Sequence, residues 1–260
     1  MNAMKFSVTL TLALTAAARA PAPTYAVPVG LELALLVDVS SSVSATEFNL
    51  QKTGYVNAFS NTSLQNAIQA IGGIAVTYIQ WSGSTQQQQS VGWTLINDPT
   101  SALAFASAIG NAPRPFSGGT APASAIDFAA PLFFNNGFEG QRSIIDFSTD
   151  GGGQTTGSET LAARNAALSS GITSINGIVI SELDSVTNFY TNNAVGGQNA
   201  FLLQVDDFSE FQGGILEKLG RETACGGRDQ LACAVPLPGS MPLMALGLVG
   251  LVAALRRRFN

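Results

Sequence analysis

The chain has no histidine, only two cysteines and few charges: 11% of its 260 residues are Asp, Glu, Lys or Arg. Without histidine there is no Ser–His or Cys–His catalytic pair and no His-based zinc site. Two cysteines alone cannot build a structural zinc site. Hydrolytic chemistry would have to rest on carboxylates, lysines or a bound metal. The sparse charge is also uneven. Five of the 12 basic residues lie at the ends (Lys5, Arg19, Arg256, Arg257 and Arg258), whereas all 17 acidic residues lie between Glu32 and Asp229. The middle is therefore strongly acidic, with 7 basic residues against 17 acidic ones. Such a body repels nucleic acid and anionic lipid and is compatible with cation binding.

The ends read as addresses. Lys5 precedes an apolar, small-residue run over 6–18, and cleavage-like sites follow at Ala18-Arg19-Ala20 and Thr24-Tyr25-Ala26. This layout predicts a secretory signal peptide over 1–26. The alternative, a buried helix, is broken by Pro21, Pro23 and Pro28. At the other end, Val235-Pro236-Leu237-Pro238-Gly239 precedes an apolar run over 241–255 and then Arg256-Arg257-Arg258. At about 1.5 Å per residue the run spans only about 22 Å, short of a roughly 30 Å hydrocarbon core. The Arg cluster would stay cytoplasmic. This tail resembles the VPLPA-CTERM variant of the PEP-CTERM sorting signals, with Gly239 in place of the usual alanine. The resemblance implies a protein exported to the envelope or surface of a Gram-negative bacterium. It also implies transient membrane attachment through the tail over 235–260 and cleavage by an exosortase-type peptidase. A plain C-terminal anchor is the alternative. In an exported chain, Cys225 and Cys233 read as a disulfide within a short linker over 225–234.

Between these ends, one domain over 27–224 alternates strand-like and helix-like segments. Strands are predicted over 31–37, 73–81, 90–95, 142–147, 174–180 and 200–205. Helices are predicted over 45–60, 100–109, 122–133, 158–170 and 208–221, with a weaker one over 184–191. Ser44 and Glu47 form a capping box for the first helix. The alternation predicts an α/β fold with a mostly parallel central sheet and helices on both faces. The 90–95 segment follows too soon for a crossover helix, so it is read as one antiparallel edge strand. Gln86–Gln89 are then expected at a solvated hairpin tip.

The chemistry gathers at three predicted loops. The run Leu33–Val37 ends in Asp38, followed by Ser40 and Ser42. Ligands bind at the carboxyl ends of strands in open α/β sheets, and hard oxygen donors suit Mg²⁺ or a similar cation. Ser117-Gly118-Gly119-Thr120 precedes a helix, its glycines allowing a tight turn that brings the Thr120 hydroxyl near a ligand. Ile144-Ile145-Asp146-Phe147-Ser148-Thr149-Asp150-Gly151 is another apolar strand ending in a carboxylate. These three loops, in this order, resemble the metal-ion-dependent adhesion site of von Willebrand factor A domains, more closely an uncharacterised bacterial branch. The resemblance implies a single Rossmann-like domain in which Ser40, Ser42 and Thr120 bind Mg²⁺ (or Mn²⁺ or Ca²⁺) directly. Asp38 and Asp150 would bind directly or through water. Among the other acids, Asp127 is a possible outer partner of the site, Asp146 reads as structural, and Asp206 and Asp207 read as caps of the last helix.

The leading reading is a metal-dependent, adhesion-type binding module that captures a carboxylate on a protein or polymer partner. A matrix protein with a purely stabilising metal is a second reading, and a metal-dependent phosphoester hydrolase a third. Enzyme motifs are missing or incomplete. A phosphoryl-transfer enzyme of the haloacid dehalogenase type needs a second Asp where Ser40 stands. The run Gly151–Gly157 places its last glycine one residue too late for a dinucleotide fingerprint. There is no Gly-x-Ser-x-Gly elbow.

Overall fold

The computed structural model describes residues 25–151 and 155–224. The predicted signal-peptide run, the Cys225–Cys233 pairing, the linker and the apolar tail with its Arg cluster lie outside the described residues. No helix among the described residues is long and apolar enough to cross a membrane.

After a three-residue strand, β1 (Val27–Val29), the apolar run becomes β2 (Leu31–Asp38), buried at every position. Helix α1 (Ala45–Ser60) follows, opened by the predicted capping box: Ser44 Oγ accepts from Glu47 N, and the Glu47 carboxylate accepts from Ser44 N. A short helix, α2 (Thr62–Ala70), was not anticipated. At nine residues it is too short to show a long periodic signal, but Leu64 and Ile68 share a face and Asn61 caps it. Strand β3 (Ile74–Trp81) and the antiparallel β4 (Gln87–Ile96) form a hairpin, followed by α3 (Pro99–Asn111) and α4 (Pro122–Ala129). The predicted helix over 122–133 stops early. Pro131 lacks the N–H that would continue the ladder, and residues Ala130–Phe133 tighten into a 3₁₀ turn.

The remaining elements are β5 (Phe138–Gly140), β6 (Ser143–Thr149), α5 (Gly157–Ser170), β7 (Ser174–Ile180), α6 (Asp184–Asn193), β8 (Gly196–Gly197), β9 (Leu202–Val205) and α7 (Phe211–Ala224). The seven-stranded sheet runs β4-β3-β2-β6-β7-β8, with β9 also on β7. Strands β2, β3, β6, β7 and β9 are parallel neighbours, and β4 is the expected antiparallel edge. The two-residue β8 adds a second antiparallel contact, and β1 pairs with β5 in a separate small sheet.

The hairpin tip lies elsewhere than expected. Gln87, Gln88 and Gln89 pair with Trp81, Gln80 and Ile79 within the ladder. The turn is Ser82–Gln86, where Gln86 Oε1 accepts from Ser82 Oγ at 2.7 Å and Gly83 N at 3.2 Å. An edge strand has one side open to water, so a glutamine run fits there without burying unpaired amides.

Period-2 alternation sorts the sheet into two cores. Leu31, Leu33, Leu35 and Val37 join Tyr55, Phe59, Phe105 and Phe211 beneath α1, α2, α3 and α7. Ala34 and Leu36 join Trp81, Ile126, Phe147 and Tyr190 beneath α4, α5 and α6. Each fully buried Leu or Phe contributes about 1.5–3 kcal/mol. The register between β2 and β6 runs from Glu32↔Ser143 to Val37↔Ser148. Asp38 and Asp150 therefore emerge side by side where two central strands end.

Candidate metal centre

Asp38 and Ser40 are fully buried, whereas Ser42 is exposed and Asp150 and Thr120 are half-buried, so the site has a closed floor and an open rim. The Ser40 backbone N–H donates to Asp38 Oδ1 at 2.8 Å, a local turn typical of Asp. Ser40 Oγ and Ser42 Oγ lie 3.0 Å apart, and Ser42 Oγ donates to Asp150 Oδ1 at 2.8 Å. Four of the five predicted residues thus form one hydrogen-bonded chain.

The fifth, Thr120, is held close by its backbone neighbours. The Ser41 N–H donates to the Gly118 carbonyl at 2.8 Å, and the Ala121 N–H donates to the Ser82 carbonyl at 2.9 Å. These bonds place the Thr120 loop beside the Asp38 loop. The Thr120 side chain makes no hydrogen bond among the described residues. Gly118 does not have the positive φ that a tight glycine turn would require. Its need is steric, since a Cβ at this position would run into Gln86 Oε1 and approach Ser82 Oγ to 3.1 Å. Asp127 is exposed on α4 and does not join the site.

Two supporting groups escape sequence reasoning. On one side, Thr149 Oγ1 donates to Asp38 Oδ2 at 2.7 Å, and Tyr190 of α6 donates to the Gly151 carbonyl at 2.8 Å. On the other, the Arg114 guanidinium reaches the carbonyls of Val39 (2.9 Å), Ser40 (2.6 Å), Val43 (2.7 Å) and Phe116 (3.1 Å). Its guanidinium carbon also lies 5.6 Å from the Phe48 ring centre. Arg114 thus fixes the backbone of the Asp38–Val43 loop, and among the described residues neither Asp38 nor Asp150 forms an ion pair. One signal was available: Arg114 is the only basic residue between Lys52 and Arg142.

Burial dominates the electrostatics. Asp38 is pushed up to about 7, by desolvation first and the Asp150 charge second, against hydrogen bonds from Thr149 and Ser40. Asp150 is also raised, chiefly by desolvation, with the Ser42 bond and Arg114 opposing. Two carboxylates that resist ionising, next to three hydroxyls and with no bonded basic side chain among the described residues, fit a hard divalent ion with mixed oxygen and water ligands. Among the described residues, no group of three or more acidic or cysteine side chains gathers into an alternative metal cage.

Comparison with known proteins agrees with this architecture. The von Willebrand factor type A structure from Catenulispora acidiphila superposes with a TM-score of 0.55 at 13% identity, covering 75% of this chain and 43% of that one. Proximal thread matrix protein 1 from the mussel byssus gives 0.56 at 15% identity, covering 77% and 49%. A further structure of that matrix protein has a zinc-occupied MIDAS motif. The pilus adhesin SpaC from Lactobacillus rhamnosus GG gives 0.55 at 18% identity, covering 76% and 30%. The chain spans less than half the length of each. At these identities the likeness establishes the fold. No curated protein matches in sequence. The PEP-CTERM protein-sorting motif matches residues 234–258, which marks the protein as exported with a C-terminal sorting signal. Residues 28–226, most of the chain, match the family described as "Protein of unknown function (DUF1194)", and the protein belongs to that family, with a fold of von Willebrand factor A type.

Proposed function

We propose that Asp38, Ser40, Ser42, Thr120 and Asp150 hold a divalent cation, and that the protein is an envelope-associated binding module for a carboxylate-bearing protein or polymer. The observation that carries this reading is the chain Asp38–Ser40–Ser42–Asp150, closed at the bottom and open at the top, with no basic side chain bonded to either carboxylate among the described residues. When bound, Mg²⁺ would supply a Lewis-acidic position that accepts one carboxylate oxygen from outside. Asp38, held by Ser40 N and Thr149, orients the floor. Ser42 and Asp150 form the rim, and Arg114 keeps the loop backbone in place. Asp38 and Asp150 together would offset a divalent charge; a partner carboxylate would bring the site to one net negative charge at its open rim, where Ser42 is exposed and water can solvate it.

The residues around the site support binding more than turnover. No histidine stands ready as a general base, and the loops that would touch a partner (Ser82–Gln86 and the Ser117–Thr120 segment) carry hydroxyls and amides. Fold neighbours that are adhesin and matrix proteins agree with this reading by analogy. The test is titration calorimetry of the purified protein with Mg²⁺ and Mn²⁺, and with Asp38→Ala as the control. Saturable binding lost in the variant supports the reading; equal binding by the variant sinks it. Retention of the protein on a carboxylated polymer, abolished by chelator, separates a partner-binding site from a cation that only stabilises the fold.

A further inference from the structure

On the α1/α7 face of the sheet, β6 and α7 enclose three ionisable side chains. Asp146 and Lys218 are wholly shielded from solvent and Glu222 is 1% exposed. Lys218 Nζ is in direct contact with Asp146 Oδ1 and lies 2.8 Å from Glu222 Oε1. Asn176 Nδ2 donates to the same Glu222 oxygen at 2.9 Å. The Phe201 ring centre lies 5.7 Å from Nζ, and the Tyr55 phenol feels the charges of both acids.

As a plain ion pair this arrangement is poor. One ammonium faces two carboxylates, and Asp146 Oδ2 and Glu222 Oε2 have no hydrogen-bond partner among the described residues. Buried ion pairs are stabilising only when their remaining polar atoms are satisfied. Burial first, and the Glu222 charge second, push the Asp146 carboxyl up to about 8 against the opposing Lys218 charge, so its neutral form is far more accessible than that of an ordinary aspartate. Desolvation of Lys218 is in turn outweighed by the two acids, which raise it and favour its ammonium. A lysine touching a carboxyl whose neutral form is accessible, a second carboxylate placed to take the lysine's proton, and exclusion of water are together the requirements of amide condensation.

We propose that Lys218 and Asp146 are joined by an intramolecular isopeptide bond, with Glu222 as the proton relay. Lys218 first passes one ammonium proton to Glu222. The freed lone pair on Nζ attacks Asp146 Cγ, and a C–N bond forms. A second Nζ proton, relayed through Glu222, leaves with one carboxyl oxygen and its proton as water as the C–O bond breaks. The products are a secondary amide, one water and a protonated Glu222. Carbon and nitrogen keep their oxidation states, so no oxidant or other reagent is required. The step removes every formal charge from a site that solvates charge badly.

The bond would span 72 residues of sequence and tie the last described helix to a central strand. The chain then continues from α7 to the sorting motif over 234–258. Tension on that tail would reach β6 through a covalent stitch and bypass the packing of α7.

The test is the intact mass of the full chain, made without export so that both termini stay, and measured denatured and reduced. The expected mass is lower than that of the sequence by one water, and Lys218→Arg and Glu222→Gln carry the full mass. After trypsin, Lys218 stays uncut, and its fragment ions carry the 143–164 peptide as a branch. Full mass in the wild-type chain overturns the proposal, whether or not the variants fold. Water loss that persists in Lys218→Arg also overturns it, and assigns the loss to another site such as Asp150-Gly151. Water loss that persists in Glu222→Gln overturns the relay.

Discussion

Ser42 Oγ donates a hydrogen bond to Asp150 Oδ1 at 2.8 Å across 108 residues of sequence. That contact joins the loop after β2 to the loop after β6, and it makes the candidate site a property of the folded sheet. Both side chains are reachable from solvent, so under the proposed reading the bond would exchange for a pair of metal–oxygen contacts. Replacing Ser42 with alanine is expected to weaken Mg²⁺ binding by at least tenfold and to change stability by less than about 1 kcal/mol, as read by calorimetry and denaturant unfolding.

Asp38 gives a pH prediction with a definite sign. Its folded value of about 7 lies above the ordinary 3.8, so between those pH values the folded protein binds more protons than the unfolded chain. Stability of the metal-free protein therefore falls as pH rises from about 4 through about 7, then levels off. Each unit of offset is worth about 1.4 kcal/mol. Denaturant midpoints taken in chelator across this range should show the decline in the wild type and a flatter profile in Asp38→Asn. An Asp38→Asn profile as steep as the wild type would rule Asp38 out as the cause.

Metal affinity should run the opposite way. Ligand carboxylates bind a cation when ionised, so the Mg²⁺ affinity is expected to rise as pH passes through about 7, where Asp38 ionises. Saturating Mg²⁺ at one hundred times its dissociation constant would add about 2.7 kcal/mol of stability. Removal with chelator should reverse that gain, and Asp38→Asn should be indifferent to both treatments.

Arg114 anchors the site loop through three carbonyls (Val39, Ser40 and Val43), braces its own segment through a fourth (Phe116), and bonds no carboxylate among the described residues. Arg114→Ala is expected to lower stability by about 1.5–3 kcal/mol and to weaken cation binding although it removes no ligand. Arg114→Lys should recover little of either, because an ammonium cannot reproduce the planar fork. Full recovery in the lysine variant would show that charge alone suffices.

Gly118 and Gln86 form a testable steric pair. Gly118→Ala should cost about 1–3 kcal/mol through collision with the Gln86 amide. Gln86→Ala in the same chain should recover much of that loss, although it also removes the bonds to Ser82 and Gly83. Additive effects of the two changes, measured by thermal unfolding, would argue against the contact.

What could be read from sequence follows the range of each interaction. Asp38, Ser40 and Ser42 are neighbours on one loop, and the apolar run Leu33–Val37 identifies its own strand, so both were legible. Asp150 shares that context at the end of β6. Thr149, Tyr190 and Arg114 act across 111, 39 and as many as 75 residues, and no local pattern encodes such partners. The α1 cap was visible because a capping box closes within four residues. Helix α2 and the pairing of β1 with β5 were too short to register, and Gln87–Gln89 looked like a tip because polarity alone does not separate a turn from a sheet edge.

The register of β2 against β6 has a kinetic consequence. Asp38 and Asp150 are brought together only when those two strands pair, which closes a loop of more than a hundred residues. A nascent or unfolded chain holds the same side chains but no competent cavity, so cation uptake would report the completion of the central sheet. If the proposed cation is taken up outside the cytoplasm, it would lock the exported chain into shape at its destination, and the divalent ions of that compartment would act as the final check on folding.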